Sequence, residues 1–174
     1  MRKNSLYLSI IFIITLCLFA FTVVYFQPEI IEKEKIIKTP MLYDVVSVID
    51  GDTIQVEFNN NIENVRLLGI DTPEIASPYS EEECFGQEAK EYLKRLLENK
   101  EVYLIPDRQS SDQDKYGRLL RYVFLPDGLF VGAELIKNGY AYNYIYEPFE
   151  FMKYFDFLEK EARSGESGLW GECE

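Results

Sequence analysis

The chain has 174 residues, of which 47% are hydrophobic and 15% aromatic, so it has enough apolar material for one compact domain and is not disordered throughout. Its formal net charge is −12, and the residues after Phe26 are more acidic still, because the only charged residues before them are Arg2 and Lys3. This excludes a protein that binds nucleic acid through a broad basic surface, so any contact with a polyanion must be local or mediated by a metal ion.

An uncharged stretch of 21 residues, Leu6–Phe26, follows the basic N-terminus. As a helix rising about 1.5 Å per residue it would span roughly 30 Å, the thickness of the hydrocarbon core of a bilayer. The run is long and ends in bulky residues, which favours an uncleaved membrane anchor over residues 1–26. Secretion after signal cleavage is the alternative. Arg2 and Lys3 predict that the remainder lies outside the cytoplasm.

Residues 27–42 mix charges with two prolines and predict a juxtamembrane linker, which leaves residues 43–174 for the folded domain. Alternating and β-branched runs predict strands at Tyr43–Ile49, Thr53–Phe58, Ile62–Ile70, Val102–Pro106 and Leu119–Leu125. Helical spacing predicts helices over Gln87–Asn99, Phe130–Asn138 and Phe149–Ser164. This order predicts an α+β fold: a five-stranded barrel of the oligonucleotide/oligosaccharide-binding (OB) type with about three helices, preceded by one transmembrane helix.

The residue inventory narrows the chemistry. There is no histidine, which excludes the usual serine or cysteine triads and histidine-based zinc sites. Two of the three cysteines, Cys84 and Cys173, fall in the outer part of the chain, where two free thiols or one disulfide are both possible. A disulfide closing a loop of that length would stabilise the fold by about 4–5 kcal/mol. Carboxylates, arginines and a hard cation remain as candidate catalysts.

Three carboxylates follow predicted strands. Asp52 leaves the first strand in the turn IDGDT, and Asp71 and Glu74 leave the third strand in IDTPE. Since the strands are neighbours, we expect the two turns to cluster all three carboxylates at one end of the sheet. Clusters of oxygen ligands suit calcium or magnesium. Any one of these acids alone is equally compatible with an ordinary exposed turn.

Two arginines flank this predicted cluster. Arg66 lies inside the third strand, where pairing with Glu57 or Glu63 is the structural alternative. In the motif DKYGR, the tight turn Tyr116-Gly117 directs Arg118 from the start of the fifth strand. Guanidinium groups beside a metal-bound carboxylate cluster match the needs of phosphodiester cleavage, because they neutralise the charge that develops on the phosphate oxygens.

The motifs IDGDT, VRLLGIDTPE and DKYGR, in this order and approximate spacing, resemble the staphylococcal nuclease (thermonuclease) family. The similarity runs from about Tyr43 to the Gly168-Leu169-Trp170 end. The resemblance implies an OB-type barrel and calcium-dependent cleavage of DNA and RNA, preferably single-stranded, with little sequence specificity and 3′-phosphate products. One alternative is a noncatalytic OB module that binds nucleic acid or protein. A second is a cell-surface interaction domain that keeps the fold by descent, which the acidic surface favours. We expect a monomer.

Carried over from the family, Asp52 and Asp71 would bind calcium with the backbone carbonyl of Thr72. Glu74 would act on the attacking water, as its general base or as the group that orients it. Arg66 and Arg118 are expected to hold the phosphate and stabilise the transition state.

The resemblance also implies a substrate-binding set. Lys115 and Tyr116 would contact a neighbouring phosphate, and Tyr144 and Tyr146 would border the nucleotide pocket, although packing is an equal alternative for these two tyrosines. Stacking of bases on aromatic rings tolerates any sequence, as a nonspecific nuclease requires. One departure from the family is a loop, residues 75–86, that carries three consecutive glutamates. This loop also contains Cys84, which we expect to form a disulfide with Cys173 that ties the loop to the C-terminal end.

Overall fold

The computed structural model describes residues 41–58, 60–78 and 81–173. The strands in this part are β1 (Leu42–Val48), β2 (Thr53–Phe58), β3 (Asn61–Leu67), β4 (Ile70–Asp71), β5 (Glu101–Ile105), β6 (Leu119–Phe124) and β7 (Tyr142–Asn143). The helices are α1 (Gly86–Leu97), α2 (Val131–Lys137), α3 (Met152–Ser164) and α4 (Leu169–Glu172). None of these helices is long and apolar enough to cross a bilayer. The predicted anchor, residues 1–26, lies outside the described residues.

Five strands close into a barrel in the order β1-β2-β3-β6-β5. All neighbours are antiparallel except β3 and β6, which run parallel. A parallel pair cannot be joined by a tight turn, and here the connection passes through α1 and β5. The predicted α+β class and five-stranded barrel are confirmed. The closed barrel leaves its β2, β3 and β6 ends side by side, and that end carries the site.

One continuous apolar core fills the barrel and extends under the helices. The inward-facing residues of the strands, among them Ile54, Val65 and Val102, are fully buried. Helix α1 contributes Leu93 and Leu97 from the same face, which is the spacing that its sequence period predicts. Burial of this apolar area is the main stabilising contribution to the fold, so the barrel is a rigid support for the polar groups at its rim.

The third strand is shorter than predicted. It ends at Leu67, because Gly69 adopts a left-handed conformation with φ of 82° and turns the chain. A Cβ at Gly69 would lie 2.6 Å from the ring of Phe149, so the position also lacks room for a side chain. The chain then forms β4, which pairs with β7 in a separate two-stranded sheet. This sheet, which the sequence analysis missed, brings Asp71 next to Tyr142.

The helical part differs from expectation in two places. Helix α3 begins at Met152 rather than Phe149, because Phe149 is buried and the N–H of Glu150 donates to Asp107 (2.8 Å) instead of entering the helix. The short helix α4 was not predicted at all. It starts after Gly168, and its four residues, Leu169–Glu172, are too few to show a helical period.

Candidate active site

Three strand ends meet at one end of the barrel. Thr53, the first residue of β2, lies opposite Arg66 near the end of β3. Parallel pairing then sets Val65 of β3 beside Leu119 of β6, so Arg118 lies next to the end of β3. Strand pairing therefore brings Arg66, Arg118 and the turn before β2 together at one end of the barrel.

The two acidic turns pack directly on each other. A Cβ at Gly51 would lie 2.6 Å from Oγ1 of Thr72, so the turn before β2 can approach the turn after β4 only because residue 51 is glycine. Thr72 donates to Oδ2 of Asp52 from both its backbone N–H (3.1 Å) and its hydroxyl (3.2 Å). The hydroxyl of Thr53 donates to Oδ1 of the same carboxylate (3.1 Å). These donors stabilise a carboxylate that is almost completely buried.

Arg66 joins the two predicted metal-binding aspartates. Its guanidinium forms ion pairs with Oδ1 of Asp52 and, at 2.6 Å, with Oδ1 of Asp71, rather than with Glu57 or Glu63. Burial lowers the pKa of Arg66 and the charge of Asp71 opposes that shift, so the group remains a cation. The two carboxylates differ in exposure: the side chain of Asp52 is 2% exposed and that of Asp71 is 49% exposed.

The donor set at this position fits a calcium ion. Since one guanidinium contacts both aspartates, the two carboxylates are close enough for a single cation to bind them together. Two carboxylates and a backbone carbonyl are hard oxygen ligands, and water can supply the rest of the shell. No group of three or more acidic or cysteine side chains with metal-binding geometry occurs in the described part of the chain. The expected cluster of three carboxylates is therefore a pair, with Glu74 beside it.

Arg118 is held by its own turn. Its Nε donates to Oδ2 of Asp114 at 2.7 Å, and its Nη1 donates to Oγ1 of Thr53 at 3.3 Å. Oδ1 of Asp114 accepts the backbone N–H groups of Tyr116 (2.9 Å) and Arg118 (3.0 Å), and Gly117 supplies the left-handed conformation that the turn requires. Burial would raise the pKa of Asp114, but the hydrogen bonds from Arg118 lower it below its usual value.

Glu74 is held by hydrogen bonds to its backbone. The carboxylate is exposed and, among the described residues, makes no hydrogen bond or ion pair. Its pKa is raised, first by desolvation and then by the charge of Asp50, with Arg66 acting in the opposite direction. The charges of Arg66 and Asp71 therefore act on the carboxylate of Glu74. Since this carboxylate has no partner among the described residues, a water molecule can bind to it.

A cleft of about 430 Å³ opens beside the two arginines. Of the predicted substrate-binding residues, Lys115, Tyr116 and Tyr144 line it. Tyr146 does not line the cleft: it is 81% exposed and contacts Tyr144 edge-on, with ring centroids 5.2 Å apart. The N–H of Tyr144 donates to the carbonyl of Gly69 (3.0 Å), which holds the tyrosine segment at the cleft.

Cys84 and Cys173 form a disulfide in the structure, with a Cα–Cα distance of 5.9 Å. The bond joins the loop after Glu74 to the end of α4. Three residues that support the site were not singled out from the sequence, namely Thr53, Asp114 and Asp50. Each stands inside or beside a quoted motif: Asp114 lies four residues before Arg118, and Asp50 accepts the N–H of Asp52 at 3.1 Å. Their positions within the motifs IDGDT and DKYGR were therefore the only sequence feature that could have identified them.

Comparison with known proteins bears on this geometry. Residues 64–172 match the family described as "Staphylococcal nuclease homologue". The thermonuclease of Staphylococcus intermedius is 40% identical over 131 residues, which cover 74% of this chain and 75% of that protein. The thermonuclease of Staphylococcus hyicus is 36% identical over 129 residues, covering 74% and 75%. Endonuclease YncB of Bacillus subtilis (strain 168) is 40% identical over 124 residues, covering 70% of this chain and 58% of that protein. The chain belongs to the staphylococcal nuclease homologue family.

Proposed function

We propose that the chain is a calcium-dependent nuclease that hydrolyses phosphodiester bonds of DNA and RNA with little sequence specificity and leaves 3′-phosphate ends. Membership of the family makes it a nuclease and a hydrolase. The observation that carries this proposal is the convergence of Arg66 and Arg118, which line the cleft, with the Asp52–Asp71 pair that Arg66 contacts.

Asp52, Asp71 and the carbonyl of Thr72 would hold the calcium ion. A bound calcium ion supplies positive charge to a phosphate oxygen and lowers the pKa of a coordinated water. Asp52 is pre-oriented by Thr72 and Thr53, and the side chain of Asp71 is half exposed, so one ligand is fixed in advance and the other is accessible from solvent.

Arg66 and Arg118 would bind the scissile phosphate. Their guanidinium groups offer paired N–H donors that match phosphate oxygens, and they stabilise the additional negative charge of the transition state. Each is oriented before substrate arrives, Arg66 by Asp52 and Asp71 and Arg118 by Asp114. Because Asp114 is not a proposed calcium ligand, Arg118 can keep this orientation when calcium binds, which avoids a cost of reorientation during the reaction.

Glu74 would accept a proton from the attacking water or orient it. Its carboxylate has no partner among the described residues, so a water molecule does not have to displace one.

Lys115 and Tyr116 would contact a neighbouring phosphate, with Tyr144 and Tyr146 beside the bases. The four side chains lie at or next to the cleft. Stacking requires unpaired bases, which supports a preference for single-stranded or locally opened substrates. The positive groups form a local patch on an acidic protein of net charge −12, and this supports modest affinity for long duplexes.

The decisive assay incubates the purified chain with labelled single-stranded DNA and RNA, with calcium or with a chelator. We expect cleavage only with calcium, and much slower but measurable cleavage by Glu74→Gln. Phosphatase treatment of the products should expose new 3′-hydroxyl ends. Equal, undetectable turnover in every sample would contradict the proposal and favour a noncatalytic binding module.

We further propose that residues 1–26 anchor the protein in a membrane as a monomer with its catalytic domain outside the cytoplasm. The uncharged run Leu6–Phe26 supports the anchor, and the disulfide supports an oxidising compartment. Fractionation and N-terminal sequencing test this. A mature protein in the medium that begins near residue 27 would contradict it.

A further inference from the structure

Glu83 forms hydrogen bonds with both the N–H and the carbonyl of Glu74. The N–H of Glu83 donates to the carbonyl of Glu74 at 2.8 Å, and the N–H of Glu74 donates to Oε2 of Glu83 at 3.0 Å. Gly86 packs against the same carbonyl, since a Cβ at that position would lie 2.5 Å from it. Because the side chain of Glu74 has no partner among the described residues, its position is set by these backbone contacts.

The residues next to Glu83 are themselves fixed to the C-terminal part of the fold. Cys84 is bonded to Cys173, directly after α4. Phe85 packs on Tyr140 with ring centroids 5.3 Å apart. The short segment from Glu83 to Gly86 therefore has a covalent attachment on one side and the backbone of Glu74 on the other.

Helix α4 is a firm attachment point. The N–H of Leu169 donates to the carbonyl of Gly139 at 2.8 Å. Arg163 lies over the ring of Trp170 at 3.9 Å, and Tyr142 meets that ring edge-on at 5.2 Å. Tyr142 pairs in turn with Asp71 in the β4–β7 sheet. A circuit of contacts thus runs from Asp71 through α4 and the disulfide back to Glu74.

We infer that Glu83 is a positioning residue for Glu74, and that the Cys84–Cys173 disulfide holds Glu83 in the place from which it acts. This rests on the proposed catalytic role of Glu74. Both hydrogen bonds between Glu83 and Glu74 involve the backbone of Glu74. Glu83 therefore fixes the main chain from which the carboxylate of Glu74 projects.

The first test uses Glu83 variants of the full chain in steady-state cleavage assays with calcium. Glu83→Ala removes the acceptor for the N–H of Glu74, and misplacement of a catalytic group by a fraction of an ångström should lower kcat about 10- to 100-fold with KM within about twofold. Glu83→Gln keeps an oxygen acceptor and should retain kcat within about threefold of the wild type. Glu82→Ala removes a neighbouring charge from the same loop and should leave both constants unchanged.

The second test replaces both cysteines. Cys84→Ser/Cys173→Ser should lower kcat about tenfold with little change in KM, measured at a temperature at which circular dichroism shows the variant folded. Unchanged kcat in this folded variant would contradict a role for the disulfide. If the variant does not fold, the wild type with and without a dithiol reductant provides the same comparison, again with the folded state verified.

A double-mutant cycle of Glu74→Gln and Glu83→Ala distinguishes a failure of this inference from a failure of the proposed function. In a Glu74→Gln background, Glu83→Ala should cause no further loss of activity, since both changes act through one carboxylate. Additive losses would mean that Glu83 acts elsewhere and would overturn the inference. If Glu74→Gln itself retains full activity, the proposed role of Glu74 fails. If Glu74→Gln cleaves much more slowly while Glu83→Ala matches the wild type, only the inference fails.

Discussion

Arg66 and Arg118 lie side by side at one end of the barrel but are held in different ways. Arg66 projects from a strand and is paired with Asp52, from the turn before β2, and with Asp71, the last residue of β4. Arg118 follows a tight turn and is paired with Asp114 of that same turn. The position of Arg66 therefore depends on the tertiary fold, whereas that of Arg118 depends on its local turn. The same functional group can therefore be fixed by long-range or by local contacts, with different consequences when it is removed.

Removing either arginine should cost about 10²- to 10³-fold in kcat, because each would lose contacts to the charge of the transition state. Arg66→Ala should also lower the free energy of unfolding by about 3 kcal/mol, since it leaves the buried carboxylate of Asp52 without its counter-ion. Arg118→Ala should cost about 1 kcal/mol or less, because Asp114 keeps its backbone hydrogen bonds. Urea denaturation without calcium measures the difference. Equal losses would contradict the distinction.

Calcium should change the stability of Arg66→Ala and of Arg118→Ala by different amounts. In Arg66→Ala, a cation bound by Asp52 and Asp71 replaces the lost positive charge, so saturating calcium should raise the melting temperature more than in the wild type. Arg118→Ala should show the wild-type increase, because Asp114 is not a proposed ligand. Melting curves with calcium and with chelator test this. A larger calcium effect in Arg118→Ala would argue against the proposed ligand set.

Asp114→Asn should lower kcat about tenfold, because it removes the ion pair to Nε of Arg118 while an oxygen remains for the backbone N–H groups. The matched control is Asp112→Asn, since Asp112 also pairs with an arginine, Arg121, at 2.6 Å. That pair is not part of the proposed site, so its loss should leave kcat unchanged. Identical kinetics in the two variants would show that the ion pair does not orient Arg118 for catalysis.

The loop that leads to Arg118 should make stability dependent on pH. Asp107 accepts hydrogen bonds from the hydroxyl of Tyr122 and from the N–H groups of Gln109, Ser110 and Glu150. Burial would raise the pKa of Asp107, but these hydrogen bonds lower it below its usual value. A carboxyl with a lowered folded-state pKa contributes stability above its unfolded pKa, and that contribution is lost as pH falls through the folded value.

Asp107→Asn should therefore lower the free energy of unfolding by about 1–2 kcal/mol at neutral pH. The difference from the wild type should narrow as pH falls below about 4, the ordinary pKa of an aspartate in the unfolded chain, and should disappear below the lowered folded-state pKa. Denaturant titrations at several pH values give the comparison. A difference that stays constant with pH would mean that the ionised carboxylate is not what stabilises this loop.

Tyr146→Ala should have the smallest effect. The exposed ring offers one stacking surface beside Tyr144, and its loss should raise KM for single-stranded DNA about fivefold, equivalent to about 1 kcal/mol. Tyr154→Ala is the control, since Tyr154 is also exposed but lies on α3 outside the cleft lining. Unchanged KM in Tyr146→Ala would leave Tyr144 as the stacking residue.

The difference between local and long-range contacts also explains how much could be predicted from the sequence. Glycine and aspartate rules located the turns that carry Asp52 and Arg118, and the alternation in Thr53–Phe58 predicted β2 with its observed bounds. The β4–β7 pair could not be predicted, because strands of two residues show no period. The contact between Glu83 and Glu74 spans a loop and has no sequence signature. Asp114 was quoted within its motif, but its bond to Arg118 becomes evident only in three dimensions.

The carboxylates that hold Arg66 are proposed to bind calcium as well, and this is tested most directly by the calcium dependence of cleavage by Asp71→Asn. We expect this variant to need at least about tenfold more calcium for half-maximal activity, because one charged ligand becomes neutral. Asp112→Asn should keep the wild-type requirement. An unchanged calcium requirement in Asp71→Asn, or equal cleavage by all three proteins in chelator, would contradict the claim.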